Sequence, residues 1–73
     1  MQKISNTIAL GQWIRDLRKS QGLTQEELSA TSGVGIRFIR ELEQGKESCH
    51  LGKVLTVIQM LGGTLFAKGF KDA

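Results

Sequence analysis

The sequence contains no proline, no tyrosine and a single cysteine. The absence of proline removes the strongest helix breaker, so helices can run without interruption. The lone Cys49 has no internal partner, which excludes an intramolecular disulfide and is typical of a reducing compartment. Cys49-His50 is the only Cys/His pair, and two adjacent residues cannot complete a zinc site without further ligands. We therefore expect neither a disulfide-stapled scaffold nor a metal centre, and no cofactor.

Long hydrophobic runs are also absent. No apolar segment approaches the roughly 20 residues needed to cross a bilayer, and residues 1–11 alternate polar and apolar residues, unlike a signal peptide. The acidic residues are scattered, so no carboxylate dyad and no enzymatic activity are predicted. We expect a soluble cytoplasmic protein with no membrane partner.

Length and charge favour a small binding module. The 73 residues allow one domain, 1–73, whose core is small enough that a second subunit would help to stabilise it. Ten Lys/Arg against seven Asp/Glu leave a net charge of +3, a balance that fits a nucleic-acid binder without proving one.

The central region reads as two short helices joined by a tight turn, a helix-turn-helix spanning about residues 24–44. Thr24 can cap the first helix while Glu27, three residues later, completes a capping box, so this helix is predicted from about Gln25 to Thr31. Gly33 and Gly35 permit a sharp turn. In the second helix, Ile36, Ile39 and Leu42 form an apolar stripe, and Gly45 is a candidate left-handed cap.

Two more helices are predicted around this unit, and the fold class is all-α. The first runs from about Thr7 to Ser20, with Leu10, Ile14 and Leu17 on one stripe and Trp13 beside it as core or dimer packing. The last runs from about Leu51 to Leu61, with Ser48 or Cys49 as a weak start signal, and Gly62-Gly63 ends it.

These motifs resemble the Cro/C1-type (Xre-like) helix-turn-helix family over roughly Leu10 to Leu61. The residues that carry the resemblance are Gly22-Leu23-Thr24-Gln25-Glu26-Glu27-Leu28-Ser29, Gly33-Val34-Gly35 and Ile39-Arg40-Glu41-Leu42-Glu43-Gln44-Gly45-Lys46. Two positions depart from the family pattern: Ser29 replaces the usual Ala, and Gly35 replaces the usual Ser cap. The resemblance implies a four-helix, lambda-repressor-like DNA-binding domain.

Within the family, the chain is most similar to HipB-like antitoxins, the partners of HipA-type kinase toxins. The supporting stretches are residues 37–46, Leu51-Gly52-Lys53-Val54-Leu55 and the ending Leu61-Gly62-Gly63-Thr64-Leu65-Phe66. This resemblance implies a bacterial DNA-binding repressor, nucleoid-associated when bound, that autoregulates a toxin–antitoxin operon and binds a HipA-like kinase toxin. The alternatives are a stand-alone regulator without a toxin partner, and an interaction module that no longer binds DNA.

The family's base-reading positions fall on Ile36, Arg37, Arg40 and Glu41. Arg37 is the first choice for a base contact, because its guanidinium fork matches guanine O6 and N7. Arg40 is as well suited to phosphate as to a base, and Glu41 either accepts from cytosine or only holds an arginine in place. Phosphate contacts are expected around the start of the motif's first helix and beyond its second. The predicted DNA-binding residues are Thr24, Gln25, Gly35, Ile36, Arg37, Arg40, Glu41 and Lys46.

Two charged residues match family positions that form a buried ion pair, Arg18 and Glu43. We expect them to tie the first helix to the end of the third. Phe38 either packs against the neighbouring helix or is exposed for a partner.

The C-terminal segment at about residues 64–70 is rich in β-forming residues. A single strand leaves its backbone groups unpaired, and nothing else in this helical chain can pair with it. We expect it to pair with the same strand of a second copy, giving a homodimer that reads a palindromic operator in double-stranded DNA. The alternatives are a frayed tail or a different partner. The predicted dimerisation residues are Thr64, Leu65, Phe66, Ala67, Lys68 and Phe70.

Overall fold

The computed structural model describes residues 2–47 and 50–70. Within them lie four helices: α1 (Thr7–Ser20), α2 (Gln25–Ser32), α3 (Ile36–Glu43) and α4 (Leu51–Met60). The predicted bounds agree for α1, while α2 is one residue longer than predicted and α4 one residue shorter. The all-α, four-helix fold expected from the sequence is confirmed.

Side chains at the helix starts explain where three of these helices begin. Asn6 Oδ1 accepts a hydrogen bond from the Ala9 backbone N–H at 2.8 Å, and Thr24 forms the predicted capping box with Glu27. His50 Nδ1 accepts from the Lys53 N–H at 3.4 Å and so caps α4. Ser48 and Cys49, the start signals suggested by the sequence, lie outside the described residues. By contrast, Gly35 precedes α3 and provides no side-chain cap.

Glycines shape the connections on both sides of α3. Gly33 has φ 73° and Gly45 has φ 82°, both in the left-handed region that side chains avoid. The Gly45 N–H donates to Leu42 O at 3.1 Å and the Lys46 N–H to Glu41 O at 3.0 Å, a pairing that closes the end of α3. The second helix of the motif is therefore short because the backbone turns away at Gly45.

Nine apolar side chains form the core, and all four helices contribute to it. They are Ile14, Leu28, Val34, Ile39, Leu42, Val54, Val57, Ile58 and Leu61. Leu10, Trp13, Leu17, Leu23 and Phe38 pack against this core from its edge. Trp13 was predicted to pack either in the core or in a dimer interface. The structure supports core packing, since the Trp13 ring also approaches Gly63 beyond α4.

A close approach brings α1 onto α3. A Cβ atom at Gly11 would meet the Leu42 carbonyl oxygen and lie 2.8 Å from the Glu43 carbonyl oxygen, so only glycine fits. Thr7 Oγ1 also donates to Gly45 O at 2.7 Å. The end of α3 is thus fixed against α1, which sets the position of the charged side chains between them.

The tail after α4 has no regular secondary structure through residue 69. No β-strand occurs among residues 2–47 and 50–70. A strand predicted to pair with a second copy has no partner within one chain, so its backbone pairing cannot form here. Leu65, Phe66 and Phe70 are 48%, 74% and 97% exposed, leaving an apolar tail open to solvent.

Candidate nucleic-acid interface

The turn between α2 and α3 is held by the polar side chains of α2. Ser29 Oγ donates to the Val34 carbonyl at 2.7 Å, and Ser32 Oγ accepts from the Val34 N–H at 3.2 Å. Val34 itself is buried in the core. The hydroxyl of Ser29, present where the family pattern has alanine, therefore fixes the angle between the two helices of the motif.

The third helix has one buried and one exposed face. Ile39 and Leu42 lie in the core, and the carboxylate of Glu43 is buried beside them. The side chains of Arg37 and Arg40 are 90% and 56% exposed. Ile36 is partly buried at the start of the helix. The exposed face of α3 is thus cationic, as a helix that enters a DNA groove requires.

Glu41 connects two cations on this exposed face. Arg37 Nε donates to Glu41 Oε1 at 3.2 Å, and Lys46 Nζ donates to Glu41 Oε2. These hydrogen bonds, led by the one from Lys46, hold the pKa of Glu41 below its ordinary value, so the carboxylate is ionised at neutral pH. Of the two sequence interpretations of Glu41, this geometry favours the one in which it holds an arginine.

Arg40 has a different acidic neighbour. Its Nη2 lies 3.6 Å from Glu26 Oε1 on α2, and both side chains are more than half exposed. Such a pair is screened by solvent and contributes little to stability, so Arg40 can exchange Glu26 for a phosphate at small cost.

Arg18 and Glu43 form a two-pronged ion pair beneath this surface. Arg18 Nε donates to Glu43 Oε2 at 2.7 Å and Nη2 to Oε1 at 2.9 Å, with both side chains under a tenth exposed. Arg18 Nη1 also donates to Leu23 O at 2.7 Å. Burial alone would raise the pKa of Glu43, but the hydrogen bonds from Arg18 and Gln25 outweigh it and the pKa is lowered. The hydrogen bond with Glu43 raises the pKa of Arg18.

Gln25, predicted to contact phosphate, belongs to the same network. Its Nε2 donates to Glu43 Oε1 at 3.1 Å, so its side chain is oriented by the buried ion pair. The hydroxyl of Thr24 accepts from the Glu27 N–H at 3.0 Å and caps α2. Both side chains therefore have structural partners, and a phosphate at this helix start would use what remains: the Thr24 hydroxyl proton and the second Gln25 amide hydrogen.

Two basic residues near this point were not among the predicted DNA-binding residues. Arg15 and Lys19 line an open cleft of about 620 Å³, together with the start of α2 and Arg40. The signal was available, because residues four apart on a helix share a face. Their side chains extend the basic surface from α3 across to α1.

Phe38 packs against the core, and Lys53 Nζ lies 5.7 Å from the centre of its ring. This cation–π contact joins α3 to α4.

Among the described residues, no group of His, Cys, Asp and Glu could hold a metal ion. The helices there are too short or too polar for any of them to cross a membrane.

The chain is similar in sequence to known helix-turn-helix proteins. A helix-turn-helix family model matches residues 14–65. An uncharacterized HTH-type transcriptional regulator, y4mF, from Sinorhizobium fredii (strain NBRC 101917 / NGR234) is 46% identical over 61 residues, covering 84% of this chain and 80% of that protein.

Two solved structures share the fold. A chain from the "Structure of HipA-HipB-O2-O3 complex" matches with a TM-score of 0.87, and one from the "HipB-O4 20mer complex" with 0.86. Each match covers 96% of this chain and 99% of the solved chain at 23% identity, a level that establishes the fold alone. Because the family model matches residues 14–65 and the 46% identical relative covers most of the chain, the protein belongs to the Cro/C1-type helix-turn-helix family.

Proposed function

We propose that this helix-turn-helix transcriptional regulator is a sequence-specific DNA-binding repressor that acts by blocking promoter access. The observation that carries the proposal is the exposed cationic face of α3, where Arg37 is 90% exposed beside a motif whose other side is buried. In the alternative, Arg37 is only a solvated surface charge. The second exposed arginine on the same short helix, Arg40, favours the DNA-binding role.

In the proposed complex, α3 enters the major groove and Arg37 reads a base pair. Arg40, Lys46, the start of α2 and Gly35 lie around it, where phosphate oxygens would be bound by cations and free N–H groups. Ile36 is placed to meet a thymine methyl group. Arg15 and Lys19 extend the same surface and would add phosphate contacts that set affinity without reading sequence.

The test is a titration of the purified protein on DNA from its own upstream promoter, at two salt concentrations, against a scrambled duplex of equal composition. We expect tight binding to the promoter that survives scrambled competitor. Equal, weak binding to both duplexes, lost at the higher salt, would leave only a basic protein with the family fold and would refute the repressor.

We propose a homodimer formed through the tail at residues 64–70. The exposed Leu65 and Phe66 support this, because an apolar tail of this kind is costly to leave in water and a symmetric pair would bury it. A dimer also suits a palindromic operator. Sedimentation of Leu65→Lys/Phe66→Lys should show monomers, and the matched control Leu51→Lys, at another exposed apolar side chain, should remain dimeric. The reverse result would place the interface on α4.

The finer proposal is that the chain is an antitoxin with a HipA-like kinase toxin as partner. It is supported by the fold shared with a chain from a HipA-HipB complex. The alternative is a stand-alone regulator, favoured by a 46% identical relative described only as a transcriptional regulator. Co-expression with the product of an adjacent kinase-like gene, followed by size-exclusion chromatography, separates the two. A stable complex supports the antitoxin; separate elution, or no such gene, supports the regulator.

A further inference from the structure

The hydrogen bonds of Glu41 divide its carboxylate between two functional candidates. Oε1 accepts from Arg37 Nε at 3.2 Å, and Oε2 accepts from Lys46 Nζ. Arg37 lies one helical turn before Glu41 on α3, and Lys46 lies beyond the turn that ends the helix. One carboxylate therefore links the predicted base-reading residue to the predicted phosphate-binding residue.

This pair is poorly arranged to stabilise α3. A carboxylate helps a helix most when it precedes its cation by four residues, but here Arg37 precedes Glu41. Arg37 also lies in the first turn, where the helix dipole disfavours a positive charge. Since the side chain of Arg37 is 90% exposed, its partner contributes little to folding. The arrangement needs another explanation.

The geometry at Arg37 indicates a role for this hydrogen bond in binding and not in folding. A long, exposed arginine loses substantial rotamer entropy when it binds, unless a neighbour holds it beforehand. The hydrogen bond to Glu41 uses Nε, which lies on the side of the guanidinium. Nη1 and Nη2 at its end remain in the fork arrangement that matches guanine O6 and N7.

We infer that Glu41 is a positioning residue that holds Arg37 and Lys46 in place for DNA, and that it increases sequence selectivity at the expense of overall affinity. The inference rests on the proposed DNA-binding function. Glu41 is ionised, as the lowered pKa of its carboxyl group indicates, and a negative charge on the DNA-facing side repels phosphate. It therefore weakens binding to every sequence, while the ordered Arg37 strengthens binding only where guanine is present.

Glu41→Gln separates these two effects. Dissociation constants are measured on promoter DNA and on a scrambled duplex, and their ratio gives the selectivity. We expect Glu41→Gln to bind scrambled DNA several-fold more tightly and to lower the selectivity about tenfold, part of what a bidentate arginine contributes. In an Arg37→Ala background the same substitution should leave selectivity unchanged.

Glu47→Gln is the matched control. Glu47 is an exposed glutamate just past Lys46, and its replacement removes the same charge without touching Arg37. This variant should tighten binding to both duplexes and preserve the selectivity. If Glu41→Gln and Glu47→Gln gave equal selectivity, Glu41 would act only as a charge, and the positioning role would be overturned.

A second readout needs no DNA. In ¹⁵N relaxation measurements, the Arg37 Nε–Hε group should be ordered in the wild-type chain and in Glu47→Gln, and mobile in Glu41→Gln. Unchanged order in Glu41→Gln would overturn the inference while leaving the repressor intact. A wild-type chain that bound promoter and scrambled DNA equally would instead refute the proposed function, and this inference with it.

Discussion

Two glutamates stand two residues apart on α3, and the helical repeat turns them to opposite sides. Glu43 accepts hydrogen bonds from Arg18 and Gln25, and its side chain is 3% exposed. Glu41 accepts from Arg37 and Lys46, whose side chains are 90% and 50% exposed. The two clusters have the same chemistry, a carboxylate divided between two donors, but the surroundings give them different consequences.

The difference lies in what happens when a partner is lost. A buried charge without its partner has no water to solvate it, so the free energy of unfolding falls. An exposed charge is solvated at once, so the loss of its partner lowers the stability of the fold very little. We therefore expect the Glu43 cluster to control stability and the Glu41 cluster to control binding.

The largest expected effect is that of Glu43→Ala. It leaves the Arg18 guanidinium buried and unpaired, so the free energy of unfolding should fall by about 3–5 kcal/mol. Urea denaturation followed by circular dichroism measures it. A loss below about 1 kcal/mol would mean that water reaches Arg18, and the distinction between the clusters would fail.

Next comes Arg37→Ala, the exposed counterpart. Promoter binding should weaken by about 1–3 kcal/mol, with relaxed preference at one base pair per half-site, because the guanidinium fork is lost. The thermal midpoint should stay at the wild-type value. Fluorescence anisotropy on promoter variants measures the first quantity. Unchanged promoter binding would remove the base contact from Arg37.

A smaller effect is expected for Lys46→Ala. As a phosphate contact it should weaken binding to promoter and scrambled DNA alike, and the slope of log K against log salt should become shallower by about 1. The slope is obtained from titrations over a range of salt concentrations. If only the promoter complex weakened, Lys46 would read sequence and not backbone.

The smallest expected effect is on stability in acid, where the Glu43 and Glu41 clusters should respond differently to pH. The pKa of Glu43 is lowered in the folded chain, so its contribution is present above the ordinary carboxyl pKa and is lost as pH falls through the folded value. Unfolding of Glu43→Gln should therefore depend less steeply on pH in the acid range than unfolding of the wild type. Glu41→Gln should change the profile less than Glu43→Gln does, because solvent screens the interaction of Glu41 with its exposed partners. Matching profiles for both variants would erase the contrast.

Much of this fold follows from local signals in the sequence. The capping box of Thr24 and Glu27 and the bounds of α1 depend on neighbours within a few residues, so their patterns predict them. The pairing of Arg18 with Glu43 came from the family resemblance and not from spacing, because the two residues are 25 positions apart. Long-range partners of this kind have no local signature.

The remaining features depend on tertiary contacts. The hydrogen bond from Gln25 to Glu43 and the link from Ser29 to the turn arise only once α2 and α3 have packed. His50 caps α4 although histidine is not among the preferred capping residues. The tail at residues 64–70 carries a clear β pattern, but its proposed pairing needs a second molecule, which one sequence read alone does not supply.

The uncapped start of α3 has a consequence for motion. Asn6, Thr24 and His50 each bind a first-turn N–H of the helix that follows, whereas Gly35 leaves those of α3 without a side-chain partner. The amide protons of Ile36, Arg37 and Phe38 should therefore exchange with deuterium faster than those of any other helix start described here. If promoter DNA covers this turn, their exchange should slow most on binding. The helix start that we expect to contact the bases would then be the least ordered one in the free protein, and DNA binding would order it.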